Sequence, residues 1–575
     1  MPFVTVVPSI RTIPGVEEFD YRIEKDADIR VGDVLIVPFR KQEIPAIVIS
    51  FSEKSAYADR TRSLDAPEIL LRGGKEAVDL LVRSAKRVFV SRPTILQSWL
   101  REVPKRGRRG QAPLTIQSTL GGKLERRYLM DRWDGPRGLL TEAKKRTGRT
   151  LILTPWQDWA NHLGTTLEVP VLHAGTTPTD AWNAIRAFAG SSSGIVVATR
   201  MGAWLSLFAD TVLLDEPEND DYKQDEQSPR LDARWIVAET SALRPGLDII
   251  AFGTTPRFGS NVDWKEVPDL NLPLTLEPFQ GRSRSEIDGL SATALTKIDE
   301  ALAANRPIII LHPVRGERAR ITCRDCGWQA ICPACDFPVS LVGTSALCRR
   351  CGKKSSPPDE CPSCGGFDFS RSRSGTDRIA RQIQTDSNRD VPIVDVTSFY
   401  GMNLPDRALV VLTDLALIGG AVEDIRRRER LVIATRRIAA KVASVNGELF
   451  ASGSDEGIDE AQNWLTADGV AKTWESEKAD RRSFGYPPMV WMAKILVDGT
   501  EQKASALLSS IQDRLPSGME LRGPFPVPFR AKSRKMRYVI HLVAKGSVTE
   551  KALRLLLEPL VGRAIIDLDP IAFFA

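Results

Sequence analysis

The first patterned region of the chain combines a predicted β-hairpin with a helical segment. Two apolar, β-branched runs, VGDVLIVPF (31–39) and IPAIVIS (44–50), are separated by a short polar turn. This spacing is typical of a hairpin, so residues 1–70 are predicted to form a small β-rich unit. From residue 70 the apolar positions recur at helical spacing, as in AVDLLVRSAKRVF, until Pro104 ends the pattern.

The middle of the chain alternates short apolar strands with helical segments, which is the pattern of a parallel, doubly wound sheet. Two successive series of such strands predict two parallel-sheet lobes. The first series lies at 151–155, 194–200, 211–216 and 247–256, and the second lies at 306–312, 391–396 and 408–414. A cysteine-rich stretch interrupts the second series after its first strand.

The end of the chain has a mixed pattern. After a polar segment, GSDEGIDEAQ (453–462), residues 466–575 combine helical and strand patterns with two proline-marked turns. We therefore expect an α+β C-terminal domain. The chain has no run of eighteen apolar residues, and its first residues lack the basic and apolar regions of a signal peptide. Neither a membrane span nor a secretion signal is expected.

Positive charge is concentrated between residues 101 and 150, a segment that contains 14 lysines and arginines but only 5 acidic residues. The net charge of the whole chain is only +6, so the rest of the sequence is close to neutral. Such a segment is typical of a phosphate-binding surface, although a solvated surface stretch is the alternative. The predicted DNA contacts in this segment are Lys105, Arg106, Arg108 and Arg109.

All eight cysteines lie in one stretch, in four Cys-x-x-Cys pairs. Each pair can supply two thiolates and two pairs complete a closed tetrahedral site, so we predict two structural zinc ions. A disulfide scaffold is the alternative, but it suits small secreted domains, and we expect reduced cysteines in the cytoplasm. The spacing leaves the pairing open. The favoured nested arrangement puts Cys323, Cys326, Cys361 and Cys364 on one ion and Cys332, Cys335, Cys348 and Cys351 on the other.

The cysteine run, CRDCGWQAICPACDFPVSL…LCRRCG…CPSCG, resembles the zinc module of the PriA family, proteins that restart collapsed replication forks. The resemblance continues on both sides of the cysteines and covers nearly the whole chain. FDYRIEKDADIRVGDVLIVPF (19–39) is similar to the family's 3′-DNA-end-binding domain. LLDEPENDDYKQ (213–224) is similar to its acidic helicase motif, and DLDPIAFF (567–574) to its C-terminal domain.

The resemblance implies a multidomain α/β protein with two helicase-like (RecA-like) parallel-sheet lobes. It also implies a two-zinc, eight-cysteine insertion in the second lobe, a β-rich N-terminal DNA-binding domain and an α+β C-terminal domain. The expected boundaries are 1–104 for the N-terminal domain, 105–138 for a basic linker in which a winged helix is missing or reduced, 139–285 for lobe 1, 286–465 for lobe 2 with the zinc module at 320–368, and 466–575 for the C-terminal domain.

In the N-terminal domain the resemblance carries over Phe19, Asp20 and Tyr21 as contacts to a DNA 3′ end. The aspartate would accept a hydrogen bond from the terminal hydroxyl, and an aromatic ring would stack on the base. The alternatives are core packing for the aromatic residues and a turn cap for Asp20. Arg40 stands where the family usually has a glycine, and it either blocks the nucleotide or supplies a phosphate contact.

The helicase motifs depart from the family's pattern. No Gly-Lys-Ser or Gly-Lys-Thr occurs in the chain, and the expected phosphate loop reads RWDGPRG, where Arg137 is the residue that could offer charge. Lys441 and Ser444 stand where two phosphate-stabilising arginines are expected. We therefore predict no catalytic residue, no nucleotide-binding residue and no ATP binding, with Asp215 and Glu216 as relics of the acidic motif.

The predicted function is a replication-restart protein that recognises stalled or abandoned forks and branched or single-stranded DNA. It would help to reload the replicative helicase as a binding scaffold, without helicase activity. Expected partners are replication-restart and helicase-loading proteins, with single-stranded-DNA-binding protein as a further candidate, in a cytoplasmic, nucleoid-associated location. The alternatives are an active superfamily 2 DNA helicase with a divergent nucleotide site, and a zinc-ribbon nucleic-acid-binding protein of transcription.

Overall fold

The computed structural model divides the chain into two compact units, residues 1–253 and 254–575. The residues it describes are 2–13, 15–101, 103, 113–116, 122–225, 228–278, 290–313, 318–323, 325–326, 328, 330–332, 339–342, 345–348, 354–374, 391–419, 424–453, 455–527, 537–546, 549–568 and 570–571.

A largely antiparallel sheet begins the first unit. Its strands are β1 (Phe3–Pro8), β2 (Phe19–Ile23), β3 (Asp33–Phe39), β4 (Gln42–Ser52), β5 (Ser63–Leu64), β6 (Ile69–Arg72) and β7 (Leu114–Thr115), in the order β5-β2-β1-β4-β3-β6-β7. The predicted hairpin is confirmed, because β3 and β4 pair with Phe39 opposite Gln42. The predicted helical segment forms α1 (Gly74–Arg87) and α2 (Arg92–Trp99).

A parallel sheet forms the rest of the first unit and confirms the predicted α/β rhythm. Its strands are β8 (Leu124–Tyr128), β9 (Arg149–Leu153), β10 (Val171–Leu172), β11 (Gly194–Ala198), β12 (Thr211–Asp215) and β13 (Asp248–Gly253), in the order β10-β11-β9-β12-β13-β8. The helices between them are α3 (Leu139–Lys145), α4 (Gln157–Leu167), α5 (Pro178–Gly190) and α6 (Ala233–Leu243). The central strands β9 and β12 are buried along their whole length, as expected for a sheet covered on both faces.

The described residues of the second unit form three sheets. Its strands are β14 (Leu274–Pro278), β15 (Ile308–Leu311), β16 (Arg318–Cys323), β17 (Val339–Val342), β18 (Ser345–Cys348), β19 (Lys354–Ser355), β20 (Phe369–Ser374), β21 (Ile393–Val394), β22 (Leu409–Leu412), β23 (Glu448–Gly453), β24 (Trp491–Asp498), β25 (Met519–Val527), β26 (Arg537–Ala544) and β27 (Ile565–Asp567). Its helices are α7 (Ala292–Ala303), α8 (Val396–Gly401), α9 (Arg427–Ala443), α10 (Asp455–Ala461), α11 (Ala467–Phe484), α12 (Glu501–Gln512) and α13 (Glu550–Leu557).

Each sheet of the second unit corresponds to one predicted module. A parallel sheet, in the order β14-β23-β22-β15-β21, forms the second lobe. Between β15 and β21 the chain forms an antiparallel sheet, β19-β18-β17-β16-β20, whose strands include Cys323 and Cys348. This sheet confirms the predicted insertion after the first strand of the series. The C-terminal part forms the antiparallel sheet β25-β26-β24-β27 with α12 and α13, and this confirms the α+β prediction.

Two of the expected domain boundaries differ from the strand pairing. The expected linker, 105–138, includes β7, which pairs with β6, and β8, which pairs with β13 in the first parallel sheet. The expected first lobe, 139–285, includes β14, which pairs with β23 in the second unit. Both differences arise because a short edge strand pairs with a strand that is distant in sequence, and this pairing decides which sheet it joins. No described helix combines the length and the apolar character that a membrane crossing requires.

Candidate nucleic-acid pocket and metal centre

The N-terminal sheet carries a pocket of about 360 Å³ beside β2 and the β3–β4 turn. The structure brings all four of the residues predicted there, Phe19, Asp20, Tyr21 and Arg40, into its lining. Strand β2 supplies the first three side chains and the turn after β3 supplies the fourth, so the pairing of two distant segments builds the site.

The rest of the pocket lining adds groups that were not predicted. Ile13 and Val16 expose apolar side chains at the pocket, and Arg60 and Arg62 add two guanidinium groups. The arginines lie in the run DRTR (59–62), whose basic residues follow the hairpin. This basic run is a sequence signal for a phosphate-binding surface, but no local sequence pattern shows that the run lies beside β2. Strand β5, which begins at Ser63 and pairs with β2, makes this contact.

The two aromatic residues of the pocket have different surroundings. Phe19 is half-buried, and its ring packs edge-on against Phe39 with 5.0 Å between the ring centroids. Tyr21 is buried, and its hydroxyl donates a hydrogen bond to the carbonyl of Pro38 at 3.0 Å. Burial raises the pKa of Tyr21 to about 12, and the positive charge of Arg62 acts in the opposite direction. Tyr21 is therefore a neutral group fixed by the core, and Phe19 is the aromatic ring that a ligand can reach.

Asp20 is held in one orientation by two hydroxyl groups. Thr5 Oγ1 donates to Oδ1 of Asp20 at 2.8 Å, and Ser55 Oγ donates to Oδ2 at 2.6 Å. Asp20 lies within β2 opposite Thr5, so the alternative of a turn cap is wrong. Each carboxylate oxygen has more than one acceptor site, so a further hydroxyl can still donate to this aspartate.

The basic residues predicted as DNA contacts, Lys105, Arg106, Arg108 and Arg109, lie outside the described residues. Their contribution to a surface stays a prediction.

The structure brings the outer cysteines of the nested arrangement together. The sulfur atoms of Cys323, Cys326, Cys361 and Cys364 all lie within 4.8 Å of one another, so this cluster could hold a metal ion. The distance from Cys323 Sγ to Cys364 Sγ and that from Cys326 Sγ to Cys361 Sγ are both 3.6 Å. A tetrahedron with zinc–sulfur bonds of about 2.3 Å has edges of about 3.8 Å, so the four sulfurs fit a zinc ion. A disulfide, at about 2.05 Å, does not fit these distances.

Tight turns hold this cluster in place. The amide of Cys361 donates to the carbonyl of Gly366 at 2.8 Å, and the amide of Gly365 donates to the carbonyl of Cys361 at 2.8 Å. A Cβ atom at Gly366 would lie 2.1 Å from Oδ2 of Asp325, so the exposed side chain of Asp325 would have to move to admit it.

The inner cysteines are described only in part. Cys332 is buried and Cys348 ends β18, whereas Cys335 and Cys351 lie outside the described residues. The second metal site stays a prediction.

A buried arginine occupies the acidic motif at the end of β12. Nε of Arg132 donates to Oδ1 of Asp215 at 3.1 Å and lies 2.9 Å from Oε1 of Glu216. Thr154 Oγ1 donates to the other carboxylate oxygen of Asp215 at 2.9 Å. All three charged side chains are buried. Burial raises the pKa of Asp215 to about 7, and the guanidinium of Arg132 acts in the opposite direction.

The connection that carries Arg132 runs from β8 to α3. In phosphate-binding loops the same strand-to-helix connection supplies backbone amides to a nucleotide. Here the amide of Leu139 donates to the carbonyl of Arg132 at 2.8 Å, and the amide of Leu140 donates to the carbonyl of Trp133 at 2.7 Å. Trp133 packs against Trp159 with 4.2 Å between the ring centroids. The connection therefore uses its own carbonyls to satisfy the first amides of the helix.

The positions expected for the late arginines are also used internally. Nζ of Lys441 donates to the carbonyl of Tyr400 at 2.9 Å and lies 5.5 Å from the ring centroid of Phe399. Ser444 Oγ donates to the carbonyl of Lys441 at 2.8 Å. Both side chains bond groups of the second unit itself, and neither offers a guanidinium to a phosphate.

These features define a multidomain α/β protein with an N-terminal pocket and a cysteine cluster that could hold a metal ion. Comparisons with known proteins show which family it is similar to. A model of the 3′ DNA-binding domain of PriA matches residues 10–97, and a model of the primosomal protein N C-terminal domain matches residues 482–571. Both models describe domains of PriA proteins, and together they support a PriA family member.

Curated relatives are similar to this chain over limited regions. The replication restart protein PriA of Haemophilus influenzae is 24% identical over 465 residues, which cover 70% of this chain and 62% of the relative. The replication restart protein PriA of Bacillus subtilis is 24% identical over 239 residues, which cover 38% of this chain and 29% of the relative. The chain thus spans less than two thirds of the length of these relatives.

Proposed function

We propose that this protein acts in replication restart by binding forks and branched or single-stranded DNA at a 3′ end, as a scaffold without ATP turnover. The observation that carries this proposal is the pocket, which lies inside the region that the 3′ DNA-binding-domain model matches. Its exposed apolar groups, its oriented carboxylate and its arginines suit the base, the hydroxyl and the phosphate of a terminal nucleotide.

The absence of ATP turnover is inferred from the closed acidic motif. Phosphoryl transfer depends almost entirely on positioning and on charge stabilisation by the phosphate loop, a metal ion and arginines. Asp215 and Glu216 already pair with Arg132, and the first amides of α3 already bond the carbonyls of the preceding loop. A metal–nucleotide complex would have to break this buried ion pair before it could bind. Asp215 and Glu216 then act as structural partners of Arg132.

Zinc is the metal proposed for the cysteine cluster, at two ions per chain. The sulfur–sulfur distances of the outer cysteines support the first ion. The eight-cysteine pattern supports the second, on Cys332, Cys335, Cys348 and Cys351. Four thiolates leave no open coordination position, so the proposed role of both ions is to hold the insertion in its fold.

The protein partners and the location follow from the family and are proposals. A scaffold at a fork would act with replication-restart and helicase-loading proteins, and single-stranded-DNA-binding protein is a further candidate. A cytoplasmic, nucleoid-associated location fits reduced cysteines and a DNA ligand. Competition between forked DNA and RNA distinguishes this proposal from a zinc-ribbon protein of transcription, because a restart protein should prefer the fork.

Removing the carboxylate of Asp20 should abolish the preference for a free 3′ end. We expect Asp20→Ala to weaken binding to forks with a free leading-strand 3′-hydroxyl by about 10- to 100-fold, because a hydrogen bond to a charged group contributes about 1.5–3 kcal/mol. Binding to forks with a blocked 3′ end should change little. Fluorescence anisotropy with the two forks measures both affinities.

The exposed residue Asp26, in the same domain, offers a matched control. Asp26→Ala should leave both affinities unchanged. If the unmodified protein binds free and blocked ends equally well, recognition of a 3′ end by this pocket is wrong.

A further inference from the structure

Arg40 has a backbone conformation that is unusual for its residue type. It occupies the two-residue turn between β3 and β4 with a φ of +55°, in the left-handed region. A residue other than glycine held there costs on the order of 1–3 kcal/mol, and such residues cluster at ligand sites. Glycine would adopt this conformation without a steric cost. The turn itself does not require an arginine, so the role of this side chain has to be judged from its position at the pocket.

The guanidinium of Arg40 lies at the pocket without filling it. Its central carbon is 5.7 Å from the ring centroid of Phe39, the side chain is exposed, and the pocket keeps a volume of about 360 Å³. Nη1 of Arg62 donates to the carbonyl of Arg40 at 3.1 Å and so holds the turn against the pocket. Of the two alternatives for Arg40, this geometry favours a ligand contact over a block.

The charges of the lining indicate the chemistry of that contact. Arg40, Arg60 and Arg62 line the pocket together with a single acidic residue, Asp20. The carboxylate of Asp20 is oriented by two hydroxyl donors and suits a further hydroxyl. The arginines therefore face a different group of the ligand, and an exposed cluster of guanidinium groups suits a phosphate.

We propose that Arg40 binds the phosphate on the 5′ side of the 3′-terminal nucleotide, with Arg60 and Arg62 adding positive charge at the same mouth of the pocket. This inference rests on the proposed function and names the part of the DNA end that the arginine recognises. The terminal nucleotide is then held at two points, its 3′-hydroxyl by Asp20 and its 5′-phosphate by Arg40. Recognition at these two points does not depend on the base.

The test compares Arg40→Gly with Lys41→Gly, a matched change at the neighbouring position of the same turn. Binding of the full chain to two single-stranded oligonucleotides with free 3′-hydroxyls is measured by anisotropy. One has a normal last phosphodiester linkage, and the other has an uncharged methylphosphonate there. We expect the methylphosphonate to weaken binding of the unmodified protein about 5- to 10-fold, as expected for one exposed charge-assisted contact.

Arg40→Gly should weaken binding to the normal end by the same factor and should be insensitive to the methylphosphonate. Lys41→Gly should behave like the unmodified protein. The melting temperature of Arg40→Gly should be unchanged or higher, because glycine relieves the left-handed strain, so lost binding cannot be attributed to misfolding. A methylphosphonate placed six linkages upstream should not distinguish Arg40→Gly from the unmodified protein.

Two results would overturn the inference and leave the proposed function intact. One is a preference for free 3′ ends with no effect of the terminal methylphosphonate. The other is an equal loss of affinity in Arg40→Gly and Lys41→Gly, which would assign the effect to the turn rather than to the charge. In contrast, equal binding to linear oligonucleotides and to a circular one would contradict end recognition itself.

Discussion

Replacing Arg132 with alanine should destabilise the first parallel sheet by about 3–5 kcal/mol, because removing one partner of a buried ion pair leaves uncompensated charge in the interior. Asp215 and Glu216 are both fully buried, and Arg132 lies within 3.1 Å of each carboxylate. Hydrogen–deuterium exchange of the peptides that contain β9 and β12 measures the loss locally, which avoids the assumption that a multidomain chain unfolds in one step.

Arg137 offers the matched control, since it is exposed in the same connection. Its backbone carbonyl accepts a hydrogen bond from Nη1 of Arg127 at 3.1 Å, and alanine keeps that carbonyl. Arg137→Ala should change stability by less than about 0.5 kcal/mol, as surface substitutions usually do. Adding Asp215→Asn and Glu216→Gln to Arg132→Ala should recover part of the lost stability, because the buried charges are then removed. Equal protection from exchange in Arg132→Ala and Arg137→Ala would show that Arg132 is not the structural cation.

Serine in place of Cys361 should remove one zinc ion per chain and unfold the cysteine insertion, while both parallel sheets remain folded. Structural zinc contributes binding free energies of about 10–16 kcal/mol in small domains, and that energy is folding energy. Elemental analysis should find two zinc ions in the unmodified protein and one in Cys361→Ser. Cys332→Ser should lose the other ion.

Ser363 lies between Cys361 and Cys364 and is exposed, so Ser363→Ala is the control for a change in the same turn. It should retain both ions. Loss of both ions from either cysteine variant would mean that the two sites are not separable. One ion or none in the unmodified protein would contradict the proposed stoichiometry.

The fold was largely predictable because its strands have clear local patterns. The β3–β4 hairpin and the central strands β9 and β12 consist of apolar runs whose period and length identify them. The edge strands β8 and β14 were not predicted, because a short edge strand carries little pattern of its own. Their positions depend on β13 and β23, which follow them by more than a hundred residues.

The site was predictable where a motif or a resemblance names the residue. Phe19, Asp20 and Tyr21 lie at the pocket, and the outer cysteines meet as the nested pairing predicts. Arg132 could not have been predicted, because the letters RWDGPRG do not show which arginine turns inward. The sequence indicates Arg137 as the residue that could offer charge, whereas the structure buries Arg132 against Asp215 and leaves Arg137 exposed. Trp133 packs on Trp159 and fixes the path of the loop, and that path determines which arginine is buried.

The most direct test of a DNA-binding scaffold without ATP turnover is to measure fork binding and ATP hydrolysis in the same sample. The preparation should bind a fork with a free 3′-hydroxyl and should release no more phosphate than a mock preparation, with or without that fork. The expected result has a physical basis, because Arg132 occupies the acidic motif that a metal–nucleotide complex would need. Fork-stimulated hydrolysis that Asp215→Asn abolishes, while fork binding persists, would contradict the account and favour an active helicase with a divergent nucleotide site.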